Sequence, residues 1–335
     1  MRRDRAGAAD DLARASDTGS ASDRGPAGDV DPGRHRARPG DAAAAADGAP
    51  ADGRRLPVGG RILLRAGAAS AWVAPADGGR LASLAVAGHE LLVTSADSPY
   101  GWGSFPMVPF AGRIRRAELH FRGRAYRLPV TMPPHAIHGT LVDVPWEVSG
   151  TPAGDAAVLS ARLGPPWPFR GRVTQRFRLE ATALHATLEL EAEEPMPAWM
   201  GWHPWFRRRV EGATGELDLE VHPAVMYVRD EEGIPTGTAT PPPPRPWDDV
   251  FEGLAAPPHL RWPGLLDLDV ESSCRYWVIY DHQPAGICVE PQTAPPDAVH
   301  WLPETAVLVE PGRPLVATMT LRWGPGSAGT ASARG

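Results

Sequence analysis

The chain has no lysine. All 34 basic residues among its 335 are arginine. This absence excludes any mechanism in which a lysine forms a Schiff base or acts as the general base. Cysteine is scarce as well, since Cys274 and Cys288 are the only two. Two cysteines exclude the dense disulfide framework of small secreted domains. A single bridge between them stays open as an alternative, and we expect both to be reduced in a cytoplasmic protein.

Long apolar runs and excess positive charge are also missing. No stretch approaches the roughly 18 to 20 apolar residues that a membrane-spanning helix needs. The N-terminus carries acidic residues throughout and lacks the apolar segment of a secretory signal. The formal net charge is −6, whereas nucleic acids and anionic membranes attract clustered positive charge. We therefore expect neither a nucleic-acid nor a membrane partner.

Composition divides the chain into three parts. Residues 1–55 consist mainly of Ala, Gly, Asp, Arg and Pro. Such a segment has too few large apolar side chains to offset the entropy of ordering, so we predict that it is disordered. Residues 56–324 form the predicted folded domain, and residues 325–335 form a predicted flexible C-terminal tail.

The central part of the chain has the patterning of β-strands. Short segments with alternating or β-rich apolar residues follow one another, with turn residues between them. The segment 172–192 is long enough for a β-hairpin, and the proline-rich 238–246 is predicted to be a surface loop. No amphipathic pattern extends beyond two or three helical turns. The sequence therefore predicts an all-β fold, a large antiparallel β-sandwich.

Four stretches place titratable residues among aromatics and prolines. They are YGWGSFPMVPFAGRIRRAEL (100–119), MPPHAIHGTLVDVPW (132–146), WMGWHPWFRR (199–208) and GICVEPQTAPPDAVH (286–300). In the last of them, an apolar strand is predicted to end at a carboxylate, Glu290, followed by prolines. Taken singly, each stretch has an ordinary structural explanation, such as a packed core histidine at His203.

His135 and His138, three positions apart, raise the question of a metal site. A zinc site usually has a third nearby ligand and helical spacing, and Pro133 and Pro134 argue against a helix here. No Gly-rich phosphate loop, G-x-S-x-G elbow or C-x-x-C motif occurs in the chain. We expect neither a metal nor a cofactor.

Taken together, the four stretches favour a sugar site. Tryptophan rings cover the apolar C–H face of a pyranose, while the sugar hydroxyls need polar partners such as Arg, Asp and His. A carboxylate with one or two histidines in such a cleft is sufficient for general acid–base chemistry without a metal or a cofactor.

These stretches resemble the aldose 1-epimerase (galactose mutarotase) family over residues 60–324. The family's N-R-I motif is matched by GRI, which contains Arg113, and its N-x-L-H-G-G motif by HAIHG, which contains His138. Its H-x-Y-F motif is matched by HPWF with His203. Its substrate-binding Asp is matched in WDDVF by Asp248, and its catalytic Glu in VEPQTAPPDA by Glu290. The resemblance implies a galactose mutarotase-like supersandwich.

The sequence departs from the family pattern at three positions. Gly112 stands where the family usually has Asn, and His135 stands at the Asn of the second motif. Thr140 replaces the second glycine of that motif, which would be unfavourable if the position needs a positive φ. These changes leave the proton-transfer residues in place but bear on which sugar fits. The match to Asp248 leaves Asp249 as an alternative.

The resemblance implies an isomerase that interconverts the α and β anomers of a free aldohexose. Glu290 would take the proton of the C1 hydroxyl, and His203 would protonate the ring oxygen. Reclosure with these roles reversed gives the other anomer. This scheme needs an ionised carboxylate and a charged imidazole, and we expect their attraction to outweigh the cost of burying them. The implied sugar-binding residues are Arg113, His135, His138, Trp205 and Asp248.

Three alternatives stay open. A hexose-6-phosphate mutarotase of the same superfamily would use Arg113, Arg115 and Arg116 to bind the phosphate. A non-catalytic carbohydrate-binding module and a purely structural sandwich are the others, and the presence of both Glu290 and His203 argues against them. We expect a monomer or a homodimer.

Overall fold

The computed structural model describes residues 60–150 and 152–326, in which nearly every regular element is a β-strand. The helix α1 has four residues, Ala298–Trp301, and 3-10 turns span Pro75–Asp77, Arg115–Ala117 and Glu304–Ala306. Within these residues no helix has the length and apolarity that crossing a bilayer requires. The prediction for residues 1–55 and most of the predicted tail lie outside the described residues. The all-β prediction is confirmed.

The larger of the two main sheets has eleven strands, and its neighbouring strands are antiparallel. In spatial order they are β1 (Ile62–Ala66), β2 (Ala69–Ala74), β3 (Arg80–Val86), β5 (Ser104–Met107), β15 (Gly201–Arg207), β23 (Gly286–Gln292), β22 (Tyr276–Tyr280), β19 (Asp248–Leu254), β17 (Pro223–Arg229) and β18 (Pro235–Thr240), with β4 (His89–Glu90) beside β3.

The second main sheet has eight antiparallel strands. In spatial order they are β10 (Glu147–Val148), β11 (Ala156–Leu163), β12 (Gly171–Leu179), β13 (Ala183–Ala192), β25 (Leu315–Pro325), β21 (Leu266–Ser272), β20 (His259–Trp262) and β16 (Asp218–Glu220). The hairpin predicted over 172–192 is the β12–β13 pair. Three strand pairs complete the fold: β6 (Arg113–Ile114) with β9 (Ala136–Ile137), β7 (Glu118–Phe121) with β8 (Arg124–Arg127), and β14 (Met196–Pro197) with β24 (Leu308–Val309).

A single hydrophobic core joins side chains of both main sheets. In β12, buried and exposed residues alternate along GRVTQRFRL, so one face of the strand joins the core. The polar Gln175 on that face is also fully buried. It accepts a hydrogen bond from the Trp202 indole at 3.0 Å and donates one to the Gly79 carbonyl at 2.6 Å. These bonds link the two sheets without leaving the Gln175 amide unsatisfied.

Strands β15 and β23 lie side by side in the middle of the larger sheet and are buried on both faces. The prediction that the strand ends at Glu290 is wrong, because β23 continues to Gln292. Pro291 lies opposite Trp277 within the sheet. A proline lacks only the N–H, so it is tolerated in a strand where the ladder does not need that donor. Glu290 is therefore held within the strand, where it pairs with Val278 of β22.

The loop after β9 packs closely against the backbone of Val108, and two glycine substitutions test how tight this packing is. Gly139 has φ +85° and a Cβ there would lie 1.9 Å from the Val108 carbonyl oxygen, whereas Gly123 has φ +70° and open space around it. Gly123→Ala should cost about 1–2 kcal/mol, the price of a left-handed conformation. Gly139→Ala should cost clearly more, because a backbone clash is added. Urea unfolding measures both, and equal losses would show that the clash is relieved.

Candidate active site

A cavity of about 200 Å³ opens on the larger sheet. It is lined by side chains from β15, β19, β22 and β23 and from the loops that carry β6 and β9. The structure brings six of the seven predicted site residues to this cavity: Arg113, His138, His203, Trp205, Asp248 and Glu290.

His203 and Glu290 meet at the wall of this cavity. Their Nε2 and Oε1 atoms are 3.2 Å apart, and their side chains are only 6% and 3% exposed. The strand register explains the contact, because Gly201 pairs with Gln292 and Trp205 pairs with Cys288. His203 lies midway between these two pairs, as Glu290 does on the opposite strand, so the two side chains project from neighbouring strands toward one point.

Aromatic rings hold the His203 imidazole in place. Phe105 stacks on it with centroids 4.7 Å apart, Trp205 stacks at 5.4 Å, and His138 meets it edge-on at 5.0 Å. Behind Phe105 lies Arg80, whose guanidinium is 5.4 Å from the Phe105 ring centroid. The imidazole therefore has a fixed orientation in a largely apolar environment.

Burial dominates the protonation of the pair. It raises the pKa of Glu290 well above its ordinary value, and the charge of Asp248 adds to this; a hydrogen bond from Gln292 at 3.2 Å and the charge of Arg113 act in the opposite direction. Burial lowers the pKa of His203 to about 3, with Arg80 adding to the effect. The expectation that attraction outweighs desolvation is thus wrong for the unliganded protein, because almost no solvent reaches either group. Both shifts favour the uncharged form of the free pair, in which the carboxyl proton is on Glu290.

His138 reaches the cavity from a strained backbone. Its φ is +55°, unusual for a residue other than glycine, and Gly139 follows at +85°. Burial lowers the pKa of His138 well below its ordinary value, and interactions with His203 and Arg113 lower it further. These effects favour the neutral ring. Its Nδ1 is buried without a partner in the described structure. Thr140 is not among the residues with positive φ, so the strain that we anticipated there falls on His138.

Gly112 is explained by its neighbour in space. Its φ is +70°, and a Cβ at this position would lie 2.4 Å from Cγ of Pro296. The asparagine that the family usually has here would collide with that ring. The loop after β23 thus fills the space beside Gly112, and Pro296 lines the cavity together with Arg113.

Arg113 is positioned by a buried acid that the sequence analysis did not select. The Asp297 N–H donates to the Arg113 carbonyl at 2.7 Å, and the Asp297 Oδ1 accepts from the Arg115 N–H at 2.9 Å. Asp297 is 2% exposed. Within the described chain, no carboxylate lies within ion-pair distance of the Arg113 guanidinium, which leaves it available to a ligand.

Asp248 and Asp249 both line the cavity, and both bind Arg229. The Arg229 Nη1 is 2.9 Å from Asp248 Oδ2, and its Nε is 2.8 Å from Asp249 Oδ1. The choice between the two aspartates therefore stays open. Arg229 itself was missed because its place depends on the pairing of β17 with β19, a long-range register that no local motif reveals.

Three other residues from the predicted motifs point away from the cavity. Arg115 pairs with Asp230 at 2.5 Å and with Glu232, and Arg116 pairs with Glu232 at 2.8 Å. His135 is buried, but its Nδ1 accepts the Arg116 N–H at 3.1 Å. The structure does not bring His135 to the cavity, because its ring is used to hold the neighbouring loop.

One group of side chains among the described residues could hold a metal ion: His203, Cys288 and Glu290. His135 and His138, the pair considered from the sequence, are not a part of it. Cys288 and Gln292 were not predicted from the sequence. Each is two positions from Glu290 on β23, so strand alternation places both on the same face as Glu290 and could have identified them. Gln292 lines the cavity.

Comparison with known proteins agrees with this architecture. The sequence model of the family described as aldose 1-epimerase matches residues 60–323. The chain is 27% identical over 248 residues to the uncharacterized protein YphB of Escherichia coli K12, covering 65% of this chain and 82% of YphB.

Solved structures show the same fold. A galactose mutarotase-like protein from Clostridium acetobutylicum superimposes with a TM-score of 0.69 at 18% identity, covering 78% of this chain and 94% of the other. A galactose 1-epimerase from Lactobacillus acidophilus gives 0.64 at 17% identity, covering 78% and 92%. With the family model spanning nearly all described residues, the chain belongs to the aldose 1-epimerase family, and its fold is galactose mutarotase-like.

The raised pKa of Glu290 predicts how stability depends on pH. From the unfolded carboxyl value, about 4.3, up to the folded value, the folded state binds the extra proton, so the free energy of unfolding falls as pH rises. Glu290→Gln removes this pH-dependent loss of stability, while the contribution of His203 to the pH dependence stays the same in both proteins. The stability difference, variant minus wild type, should therefore grow with pH, by at most about 1.4 kcal/mol per unit.

Urea unfolding at several values between pH 5 and pH 8 measures this difference. Glu310→Gln is the matched control, because Glu310 is a half-exposed acid paired with Arg313. A difference for Glu290→Gln that stays constant, or that shrinks as pH rises, would contradict the raised pKa.

Proposed function

We propose that the protein is an aldose 1-epimerase that interconverts the α and β anomers of a free aldohexose, with Glu290 and His203 as its acid–base pair. The observation that carries this proposal is the contact between these two groups, 3.2 Å apart at a sugar-sized cavity. Anomer exchange needs a base at the C1 hydroxyl and an acid at the ring oxygen, and it needs both groups to reverse their roles within a turnover.

A pair that shares one proton suits such a reversal. When sugar hydroxyls enter the cavity, they can solvate the Glu290 carboxylate, and the shared proton moves to His203 without exchange with solvent. Glu290 then takes the C1 hydroxyl proton and His203 protonates the ring oxygen, which breaks the bond from C1 to the ring oxygen. The pair is now in its uncharged form, the form that burial favours. After rotation about the C1–C2 bond, reverse transfer closes the ring on the other face.

The other cavity residues have proposed roles in holding the sugar. Arg113 and one of the two aspartates bind hydroxyl or ring oxygens, and the neutral His138 ring contributes either a donor or an acceptor. Trp205 supports the imidazole by stacking on it. We do not assign a sugar contact to His135, whose ring nitrogen serves the Arg116 backbone.

The charge pattern favours an uncharged sugar over a hexose 6-phosphate. Arg115 and Arg116 are paired with acids outside the cavity, and Arg229 is paired with two aspartates. This leaves Arg113 as the cavity arginine without an acid partner in the described chain. A dianionic phosphate usually draws several charge-assisted contacts, so one free guanidinium favours a neutral substrate.

The test is anomer relaxation, followed by NMR or polarimetry, on a panel of free and 6-phosphorylated aldoses. Glu290→Gln and His203→Asn should each slow exchange by at least about 10²–10⁴-fold, the usual contribution of general acid–base catalysis. Glu310→Gln, the same acid-to-amide change outside the cavity, should leave the rate unchanged. Full activity of Glu290→Gln, or exchange limited to phosphorylated sugars, would contradict the proposal.

A further inference from the structure

Cys288 lies beside the proposed catalytic pair, and the proposed reaction does not use it. The His203 and Glu290 ligand atoms and the Cys288 sulfur all lie within 4.8 Å of one another. All three residues are buried, at 5%, 2% and 0% exposure respectively. Imidazole nitrogen, carboxylate oxygen and cysteine sulfur in one dry cluster is the donor set that zinc prefers in proteins.

The sheet fixes this cluster. Cys288 and Glu290 are two positions apart on β23, so their side chains share one face of the sheet. His203 comes from the adjacent strand β15, in which Trp205 pairs with Cys288. Because both strands are central in the larger sheet, the three donors are held by paired backbone instead of a loop. Rigid supports of this kind are what a specific metal site requires.

We propose that His203, Cys288 and Glu290 form a binding site for a zinc-class divalent cation, and that an ion bound there stops anomer exchange. Zinc bonds of about 2.0–2.1 Å to nitrogen and oxygen place two tetrahedral ligands roughly 3.3 Å apart. The His203 Nε2 and Glu290 Oε1 atoms already have a separation of 3.2 Å. The Cys288 sulfur lies within 4.8 Å of the ligand atoms of both residues, and a move closer to them completes a third corner.

Charge and ligand type select the ion. A Cys288 thiolate and a Glu290 carboxylate together balance the two positive charges, and a neutral His203 adds none, so no net charge is buried. The thiol proton, and the proton held by the pair, leave to solvent. Calcium and magnesium prefer sets of oxygen ligands and are excluded by the sulfur and nitrogen donors. The ion occupies the Nε2 and carboxylate atoms that would move protons, so binding and catalysis exclude each other.

Binding can be tested with Co²⁺ as a spectroscopic substitute for zinc. The untagged full chain, freed of metal with a chelator, is titrated with Co²⁺, and a thiolate-to-cobalt charge-transfer band reports the cysteine ligand. The matched control is the other cysteine, Cys274, which is also buried. One Co²⁺ per chain with this band is expected for wild type and for Cys274→Ala. Cys288→Ala should lose the band and bind Co²⁺ at least about tenfold more weakly, since loss of even an outer partner typically costs that much.

The predicted inhibition of anomer exchange by zinc rests on the proposed function, whereas the predicted binding of the metal ion does not. The metal-free wild type should exchange anomers, and Zn²⁺ should abolish this exchange in wild type and in Cys274→Ala. Cys288→Ala should keep its basal rate and require at least about tenfold more Zn²⁺ for inhibition. If the metal-free wild type has no exchange activity with any sugar, the proposed function fails, and the cobalt band still decides the metal site.

Two results would overturn the metal site: wild type without a thiolate band, or a Cys288→Ala variant with unchanged Co²⁺ affinity. If Cys288→Ala does not fold, as judged by thermal melting, Glu290→Gln takes its place in the cobalt titration. Affinity at least about tenfold weaker for Glu290→Gln supports the site, and unchanged affinity overturns it.

Discussion

The contact between His203 and Glu290 depends on the register of two strands. Gly201 opposite Gln292 and Trp205 opposite Cys288 fix where the imidazole and the carboxyl meet. A slip of one residue in either strand would turn one of them into the core. The burial that surrounds these strands then decides the chemistry of the pair, because it disfavours the charged form of each group. Sheet pairing, core packing and proton affinity are therefore linked through one contact, the 3.2 Å between the His203 Nε2 and Glu290 Oε1 atoms.

Ion pairs neutralise most of the arginines in and around the cavity, so few positive charges remain available to a ligand. Arg229 is held by Asp248 and Asp249, and Arg115 is held by Asp230, Glu232 and, at 3.7 Å, the buried Asp297. These contacts also stiffen the loops that carry Arg113. The same burial that favours the uncharged form of the His203–Glu290 pair makes its atoms suitable for a cation accompanied by a thiolate, since the fold already holds these donor atoms away from water. The proposed proton-transfer pair and the proposed zinc site thus share one geometry.

The sequence alone predicts the all-β fold and the resemblance to the family, because strand periodicity and motif order are local properties. It also selects His203 and Glu290, which lie in short motifs and line the cavity. It does not identify Arg229 or Asp297, whose positions depend on contacts between distant segments, such as the Asp297 N–H with the Arg113 carbonyl. His135 was selected from its motif but faces the Arg116 backbone. The charge of the pair was also misjudged, because the sequence shows which groups are adjacent in a motif and not how completely water is excluded.

The central claim is that the unliganded pair holds a single proton in an uncharged form. ¹⁵N NMR of the imidazole nitrogens in metal-free protein tests it most directly, with the His203 signals assigned by their loss in His203→Asn. A histidine with the ordinary pKa of about 6.5 is mostly charged at pH 5. With a pKa lowered to about 3, His203 should stay neutral from pH 7 down to pH 5, in wild type and in Glu290→Gln alike. An imidazolium at pH 7 in wild type that becomes neutral in Glu290→Gln would show that attraction prevails over burial and would contradict the account.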